Sequence, residues 1–231
     1  MGLIRKTITE STMLDAAALA AEGAPHGTTV VAQRQTAGVG RFGRKWSSDD
    51  EGGLYLSMVL RLPNAGPSLT LALGLAVQEA INEVAGQATD LRWPNDVLLN
   101  EKKVAGILVQ ATDGALIAGI GLNVNQKAFA PELSEIATSL YLSSGRPHDP
   151  ERFLARIRTL TLHYSALSRP EILRRFEQAS TYARGKLVEA DGLSGITNGL
   201  DPNGFLLVRT EAGIRTITAG GVRPSSGTGS P

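Results

Sequence analysis

Cysteine is absent from the 231-residue chain, and its absence excludes several kinds of chemistry. Without thiols there is no disulfide, no cysteine nucleophile with its thioester intermediate, and no thiolate ligand for a metal. Histidine is scarce, and His26, His148 and His163 lie too far apart in the sequence to form a paired zinc-ligand motif. We therefore expect neither a structural zinc site nor catalysis through a cysteine.

Long apolar runs are also missing. The N-terminal segment MGLIRKTITESTMLDAAALAAEG lacks the apolar centre of a signal peptide, and no run of about 18 apolar residues is present to form a transmembrane helix. Acidic and basic residues nearly balance, with a net charge of +1, so the composition carries no global sign of a nucleic-acid-binding surface. These features predict a cytoplasmic protein that does not interact with a membrane.

Hydrophobic patterning predicts an α+β architecture without regular alternation of strands and helices. Ser11 is a candidate N-cap, and the predicted helices cover Thr12–Glu22, Ser68–Val84, Pro150–Leu167 and Pro170–Ala183. The predicted strands cover Thr28–Arg34, Leu54–Leu62 with Pro63 after it, Thr89–Trp93, Asp96–Leu99, Val104–Ala111 and Ala115–Val124. Because short connections join the last four strands, including the hairpin pair Asp113-Gly114, we expect antiparallel neighbours.

The C-terminal part of the chain has a different pattern. From Gly185 to Ala219, short β-branched segments alternate with turn sequences such as DPNG, which is typical of a small all-β barrel. The final residues, SSGTGSP, are small and polar, and we expect them to be disordered. The predicted organisation is a domain over residues 1–183, a small barrel over 184–224 and a tail over 225–231.

The segment Gln35–Trp46, QTAGVGRFGRKW, contains glycines spaced G-x-G-x-x-G. A dinucleotide-binding loop with this spacing leads into a helix, but here a polar segment leads towards a strand. A phosphate-binding P-loop needs G-K-[ST], and this loop ends in G-R-K-W. Neither interpretation fits. Two remain: a mobile basic loop without a role, and an anion clamp in which Arg41, Arg44 and Lys45 act together with glycine amides.

Four segments carry a family resemblance. AGVGRFGRKW resembles the ligand-binding loop G-R-G-R-x-G-R-x-W of biotin protein ligases, and Arg92–Asp96 (RWPND) is similar to their K-W-P-N-D. Lys103–Leu108 (KVAGIL) is similar to K-x-x-G-I-L, and Gly119–Asn125 (GIGLNVN) to G-I-G-[IL]-N-V-N. Ser11-Thr12 stands where the family has S-T-N. Because the motifs occur in the family's order from Ser11 to Arg223, the chain is identified as a member.

The resemblance implies a class II synthetase-like catalytic domain, with a mixed, mainly antiparallel sheet and helices, followed by an SH3-like barrel. It implies an ATP-dependent ligase that activates biotin as biotinyl-5′-AMP, with Mg²⁺, and transfers it to a lysine of a biotin carboxyl carrier protein. Family members exist as monomers and as homodimers. Bifunctional members carry an N-terminal DNA-binding domain; since ten residues precede Ser11, we expect no sequence-specific DNA binding.

The resemblance also implies the site residues. Lys103 and Arg41 are the implied catalytic residues, the first bridging two anions and the second closing over the adenylate. The implied biotin contacts are Ser11, Thr12, Met13, Gln35, Gly38, Val39, Gly40, Arg41, Lys103, Gly106 and Gly121, with Gly119 also allowing close approach of the ligand. The implied ATP contacts are Arg41, Arg44, Trp46, Asn95, Asp96, Lys103 and Asn123, with Asp96 as the Mg²⁺ ligand.

Structural explanations stand beside these roles. Ser11 can serve as a helix cap alone, Asn95 and Asp96 as turn residues, Trp46 as a packing anchor and Lys103 as an ordinary hairpin lysine. Two other functions also remain. One is a biotin-binding homologue with weak or no activity; the other is a lipoate or octanoyl ligase, whose R-R-x-x-G-G-x loop is not found in this sequence.

Three positions depart from the family pattern. Val39 replaces the first loop arginine, which removes a charged hydrogen-bond donor from the loop. Met13 replaces the asparagine of S-T-N, and Arg92 replaces the lysine of K-W-P-N-D, which keeps the charge but changes the donor geometry. We expect these changes to alter affinity and rate more than the type of reaction.

Overall fold

The computed structural model describes residues 2–48, 50–62, 65–112 and 114–225. Three predicted features involve residues outside this range: Pro63 after a strand, Asp113 in the hairpin pair, and the tail from residue 226. The strands are β1 (Leu3–Thr9), β2 (Thr29–Gln35), β3 (Gly53–Leu60), β4 (Asp90–Arg92), β5 (Asp96–Leu99), β6 (Lys102–Thr112), β7 (Ala115–Asn123), β8 (Arg184–Ala190), β9 (Leu193–Leu200), β10 (Leu206–Thr210), β11 (Gly213–Ile217) and β12 (Val222–Pro224). The helices are α1 (Thr12–Ala21), α2 (Ser68–Ala85), α3 (Pro131–Ser134), α4 (Leu140–Ser144), α5 (Pro150–Ser165) and α6 (Arg169–Ala179).

Seven strands form the main sheet, in the order β1-β2-β3-β7-β6-β5-β4. All neighbouring pairs from β2 to β4 in this order are antiparallel. The prediction that β4, β5, β6 and β7 are antiparallel neighbours is confirmed, since their connections are too short for a crossover. The sheet is mixed only because β1 runs parallel to β2.

Strand β1 is absent from the sequence-based prediction. It pairs with β2 from Leu3 opposite Thr29 to Thr9 opposite Gln35, and α1 forms the crossover between the two strands. Its sequence, LIRKTIT, includes two cations, and none of its side chains is fully buried. An edge strand of this kind is held mainly by its ladder to the neighbouring strand, so its own hydrophobic pattern gives little signal.

Helices cover the two faces of the sheet unequally. The long, Leu- and Ala-rich α2 packs against α5 and α6 on one face, and it ends at Gly86, whose φ of 67° suits a left-handed C-cap. On the other face α1 buries Met13, Ala16 and Ala20 against the sheet. Strand β3, between these layers, is buried along its whole length. Among the described helices, none is both long and apolar enough to cross a membrane.

Helix α6 ends at Ala179, earlier than the predicted Ala183. Ser180 leaves the helix with φ −115° and ψ 116°, and its hydroxyl donates to the Leu91 carbonyl at 2.5 Å. Tyr182 and Ala183, which follow, are fully buried between the two sheets of the chain. This connection therefore leads directly from the helical layer into β8.

The C-terminal strands form a five-stranded antiparallel sheet in the order β11-β10-β9-β8-β12. This confirms the predicted run of short strands. Strands β11 and β12 stand at the two ends of this order. Leu206 and Val208 lie in the same buried cluster as the residues of the main sheet, and Trp93 Nε1 donates to the Gly204 carbonyl at 3.0 Å. The two sheets thus share packing near the end of β4. The division at residues 183 and 184 stays a prediction.

Candidate functional site

The glycine-rich segment between β2 and β3 forms a short hairpin, which we call the flap (residues 36–47). Trp46 N donates to the Gly38 carbonyl at 2.8 Å and Gly40 N donates to the Arg44 carbonyl at 2.7 Å. A single 3-10 turn, Arg41–Gly43, closes the hairpin, and the described residues between this turn and β3 form no α-helix. The expectation that this loop lacks the helix of a dinucleotide site is therefore confirmed.

Gly38 has a structural reason to be glycine. A Cβ at this position would overlap Ser48 Oγ and would lie 2.6 Å from the Trp46 carbonyl oxygen. The residue does not line either cavity described below, because it lies at the base of the flap where the two flap strands meet. Its predicted contact with biotin is therefore not supported by its position.

A small cavity of about 60 Å³ lies under the flap, above strands β3, β6 and β7. It is lined by every predicted biotin contact except Gly38, namely Ser11, Thr12, Met13, Gln35, Val39, Gly40, Arg41, Lys103, Gly106 and Gly121. Ligand pockets usually measure at least about 300 Å³. The flap therefore has to move before a ligand of the size of biotin can enter.

Buried polar groups form one end of this small cavity. Gln35 Oε1 accepts from Thr12 N at 2.8 Å, and the Gln35 amide donates to Ser48 Oγ at 3.2 Å. Thr12 and Ser57 share a hydrogen bond of 2.8 Å between their hydroxyl groups. Ser11 is 1% exposed and accepts from Met13 N at 3.3 Å, which confirms the helix cap. These groups are fixed in place before any ligand arrives.

Met13 gives the small cavity an apolar wall where the family pattern has an asparagine. Its side chain is buried, and its Sδ lies over Gly119, at 2.5 Å from where a Cβ of Gly119 would be. The thioether therefore occupies the space that the missing side chain of Gly119 leaves open. This arrangement explains why a small residue is needed at 119, independently of any ligand.

A second cavity, of about 300 Å³, lies on the other side of the flap. Arg41, Arg44, Lys45 and Lys103 give it a cationic side, whereas residues in α3 and on either side of it give it an apolar side. The apolar lining consists of Phe129, Leu133, Ile136 and Ala137, and the lining is completed by Gly40, Phe42, Trp46, Ser47, Asn95, Asp96, Asn123, Gly220 and Gly221. Its size suits a drug-sized ligand with both a flat apolar part and negative charge.

The two cavities meet at a small group of shared residues. Gly40, Arg41, Trp46, Asn95 and Lys103 line both of them. The Trp46 indole forms the wall between them: it lies over Gly106 and Gly121, where any Cβ would clash with its ring. The Lys103 ammonium is 5.3 Å from the centroid of this ring. Arg41 from the flap and Lys103 from β6 are therefore two cations at the junction of the cavities, where ligands in the two cavities would meet.

The backbone of Lys103 is held by a segment that the sequence did not mark as functional. Lys103 N donates to the Ile136 carbonyl at 2.8 Å, and Thr138 N donates to the Lys103 carbonyl at 2.9 Å. The Asn123 amide donates to the Thr138 carbonyl at 2.9 Å. Asn123 therefore lines the larger cavity and also anchors the segment that carries its apolar wall.

The Asp96 carboxylate is shared between two cations. Its Oδ1 lies 2.5 Å from Lys103 Nζ, and its Oδ2 accepts from Arg92 Nη2 at 2.9 Å. Burial by itself raises the pKa of Asp96, but the charges and hydrogen bonds of Lys103 and Arg92 outweigh it, so the pKa lies below its usual value. The group is a carboxylate at neutral pH.

These contacts do not fit a resident magnesium site. Both oxygens of Asp96 face cations, and the described residues contain no group of three or more acidic or histidine side chains that could hold a metal. Magnesium in nucleotide sites is commonly bound by one or two carboxylates together with the phosphates themselves. The interpretation of Asp96 as a metal ligand stays a prediction, and no step below depends on it.

Arg41 is the flap residue most firmly held in the site. Its Nη1 donates to Asn95 Oδ1 at 3.2 Å and to the Gly220 carbonyl at 2.7 Å. Burial lowers the pKa of Arg41; the nearby Asp96 opposes the shift and Arg44 adds to it. An arginine remains charged despite such a shift, so the flap brings a permanent cation to the junction of the cavities.

Comparison with known proteins agrees with this architecture. Residues 3–126 match the Biotin/lipoate A/B protein ligase family, and residues 184–222 match the biotin protein ligase C terminal domain. The chain is 38% identical to the bifunctional ligase/repressor BirA of Bacillus subtilis, over 93% of this chain and 71% of that protein. It is 32% identical to the biotin--[acetyl-CoA-carboxylase] ligase of Paracoccus denitrificans, over 91% of this chain and 95% of that one.

A solved structure is similar over nearly the whole chain. The biotin protein ligase from Aquifex aeolicus in complex with biotin and ATP is 36% identical, with a TM-score of 0.86 over 97% of this chain and 99% of that chain. The similarity therefore includes the strands, the flap region and the C-terminal sheet, and is not limited to the motifs quoted above.

Proposed function

The chain belongs to the biotin/lipoate A/B protein ligase family and is a biotin ligase. We propose that it uses ATP to activate biotin as biotinyl-5′-AMP where its two cavities meet, and then transfers biotin to a carrier lysine. The observation that carries this proposal is that Lys103 and Arg41 line both cavities. The Aquifex aeolicus ligase, which is similar over nearly the whole chain, was solved with biotin and ATP bound.

The first step forms biotinyl-5′-AMP. The carboxylate oxygen of biotin attacks the α-phosphorus of ATP, a new O–P bond forms, and pyrophosphate leaves with the electrons of the broken P–O bond. Both reactants are anions that repel each other. Lys103 and Arg41 offset that repulsion, and as fixed cations they stabilise the charge that develops on the phosphoryl oxygens.

In this proposal the small cavity holds the bicyclic end of biotin. Ser11, Thr12 and Gln35 supply buried hydrogen-bonding groups for a ureido ring, while Met13 and the glycine surface of β6 and β7 contact its apolar part. Trp46 covers the chain that leads to the carboxylate. Opening of the flap admits biotin, and closing excludes water from a reactive anhydride.

The larger cavity holds ATP. Its apolar side, from Phe129 to Ala137, suits the adenine base, and its cationic side suits the phosphates. Magnesium enters with ATP as part of the substrate. In this proposal Asn95 and Asn123, which line the cavity, contact the ribose and phosphate groups, and Arg44 lines the same cavity.

The second step needs no nucleophile from the enzyme. The amine of the carrier lysine attacks the carbonyl carbon of the mixed anhydride, an amide bond forms, the C–O bond to phosphate breaks, and AMP leaves. The absence of cysteine agrees with this chemistry. The relatives named for acetyl-CoA-carboxylase support a carboxylase carrier protein as the acceptor.

The decisive experiment measures each step separately. The chain is incubated with biotin and ATP, and pyrophosphate release is followed before a purified biotin carboxyl carrier domain is added. We expect pyrophosphate release that depends on biotin, followed by a mass increase on one carrier lysine. Lipoate serves as the competing acid. Preferential transfer of lipoate, or biotin binding without pyrophosphate release, would favour the two other functions.

A further inference from the structure

Arg92 lies behind the site and has no role in the proposed function so far. It is the last residue of β4, directly opposite Asp96 in the ladder between β4 and β5. Its side chain is 18% exposed and lines neither of the two cavities. It therefore does not line the space for a ligand, and its direct contact with the lining of the larger cavity is the hydrogen bond to Asp96.

Arg92, Asp96 and Lys103 form a row of three charges. The Asp96 carboxylate is 2.9 Å from Arg92 Nη2 on one side and 2.5 Å from Lys103 Nζ on the other. The row carries a net charge of +1. Without Arg92, the pair of Asp96 and Lys103 would be neutral, and the carboxylate would lose one of the two cations in direct contact with it.

The Arg92 guanidinium is fixed from its other side. It lies 6.0 Å from the ring centroid of Tyr182, a fully buried residue whose hydroxyl donates to Glu101. Its Nε is buried without a hydrogen-bond partner among the described residues. The side chain is thus packed between Asp96 and the connection to the C-terminal sheet, outside both cavities.

We propose that Arg92 is a positioning residue that neutralises Asp96, so that Lys103 is free to turn from this carboxylate to the anionic substrates. This inference rests on the proposed function of the two cavities. When the triphosphate enters, Lys103 moves towards it, and Arg92 is then the cation that stays in direct contact with Asp96. Without Arg92, the ammonium stays with the carboxylate and the carboxylate repels the phosphates.

A purely structural ion pair across the hairpin is the competing explanation. Such cross-strand pairs stabilise a sheet modestly, and their loss weakens every function of the site equally. The charge-neutralising role predicts something different: the effect of removing Arg92 grows with the negative charge of the ligand. Ligands of graded charge therefore distinguish the two explanations.

The test compares Arg92→Met, Arg92→Lys and the unchanged protein in equilibrium binding titrations. The ligands are ATP, biotin and the neutral alcohol analogue of biotin. For Arg92→Met we expect ATP affinity to fall about tenfold, biotin affinity to fall less, and the affinity for the alcohol to stay the same. Arg92→Lys keeps the charge and should remain close to the unchanged protein. Arg92→Gln provides a second neutral side chain in case the methionine variant does not fold.

The same substitution in an Asp96→Asn background completes the test. With the carboxylate removed, Arg92→Met should change ATP affinity less than twofold relative to Asp96→Asn alone. Equal weakening of all three ligands, or the same effect in both backgrounds, would overturn the inference and leave a structural ion pair. If the unchanged protein binds neither biotin nor ATP, the proposed function itself fails, and this outcome is distinct from a failure of the role of Arg92.

Discussion

Arg41 in the flap donates a hydrogen bond of 2.7 Å to the carbonyl of Gly220, a residue 179 positions further along the chain. Gly220 lies between the last two strands of the C-terminal sheet, and with Gly221 it lines the larger cavity. The segment between β11 and β12 therefore contributes backbone to the site and holds Arg41. In the proposed mechanism, this contact connects the C-terminal unit to retention of the adenylate.

Substitution of Gly220 tests that connection. Its φ of 87° is in the left-handed region, so Gly220→Ala costs roughly 1–2 kcal/mol in its present conformation and the backbone shifts to relieve it. We expect the displaced carbonyl to loosen Arg41 and biotinyl-AMP to dissociate several-fold faster, with little change in biotin affinity. Rapid-mixing measurement of adenylate release provides the check.

Gly221→Ala is the matched control for this experiment. A Cβ at Gly221 meets no atom within 4 Å, and its backbone is outside the left-handed region. We therefore expect its release rate to match that of the unchanged protein. Equal effects of the two alanine variants would show that the hydrogen bond between Arg41 and Gly220 does not hold the flap.

Val39 is the position at which this flap has one cation fewer than the family pattern. Its side chain is 40% exposed and lines the small cavity, while its backbone pairs with Lys45, so a longer side chain fits without moving the flap. A new charged hydrogen bond contributes about 1.5–3 kcal/mol, and Val39→Arg should therefore slow adenylate release about tenfold or more. Val39→Leu adds size without charge and should leave the rate unchanged; a similar slowing in that variant would exclude the charge as the cause.

Removal of Arg41 from the flap should have the opposite effect. Arg41→Gly deletes the flap cation that lines both cavities, together with its contacts to Asn95 and Gly220. We expect the adenylate to escape and to biotinylate lysines of an unrelated bystander protein, detected by mass spectrometry. Arg41→Lys, which keeps a charge without the planar donor geometry, should give an intermediate level. Labelling confined to the carrier lysine in the glycine variant would contradict the role of Arg41 in retention.

Tyr182 lies in the segment between α6 and β8, and its hydroxyl donates a hydrogen bond to Glu101 in the turn that precedes Lys103. Burial, with the hydrogen bond to Glu101, raises the pKa of Tyr182 to about 12. Because the folded pKa lies above the ordinary value of about 10, its contribution to stability is complete below pH 10 and is lost as the pH rises towards 12. The free energy of unfolding should therefore fall over this interval more steeply than in Tyr182→Phe.

The phenylalanine variant also measures how much the Tyr182 hydroxyl contributes to the free energy of unfolding. At neutral pH, Tyr182→Phe should be less stable by about 1 kcal/mol, because water can replace the tyrosine as a partner of the largely exposed Glu101 carboxylate. Urea unfolding at a series of pH values between 8 and 12 measures both quantities. Parallel stability curves for the two proteins would show that the tyrosine does not titrate with folding.

Most of the helices and strands could be predicted from the sequence, because the residues that determine each of them lie within that element or next to it. The helix cap at Ser11, the long apolar helix after Pro67 and the strands around Gly106 and Gly121 follow from capping, periodicity and turn residues within a few positions of each element. Strand β1 was not predicted, since an edge strand with two cations depends on its pairing with β2. The same applies to α3 and to the wall around Ile136, which carry no motif and gain their place by pairing with Lys103.

The sequence by itself determined which chemical groups this protein brings to its site. Lys103, Arg41 and the glycines of β6 and β7 are recognisable there because each lies in a short motif whose spacing is set by neighbouring residues. Only the tertiary structure decided how these groups are used: that two cavities meet at Lys103 and Arg41, that Gly38 supports the flap from outside both cavities, and that Gly220 reaches back to the flap. Such contacts join residues distant in sequence, and they exist only after the two sheets have packed together.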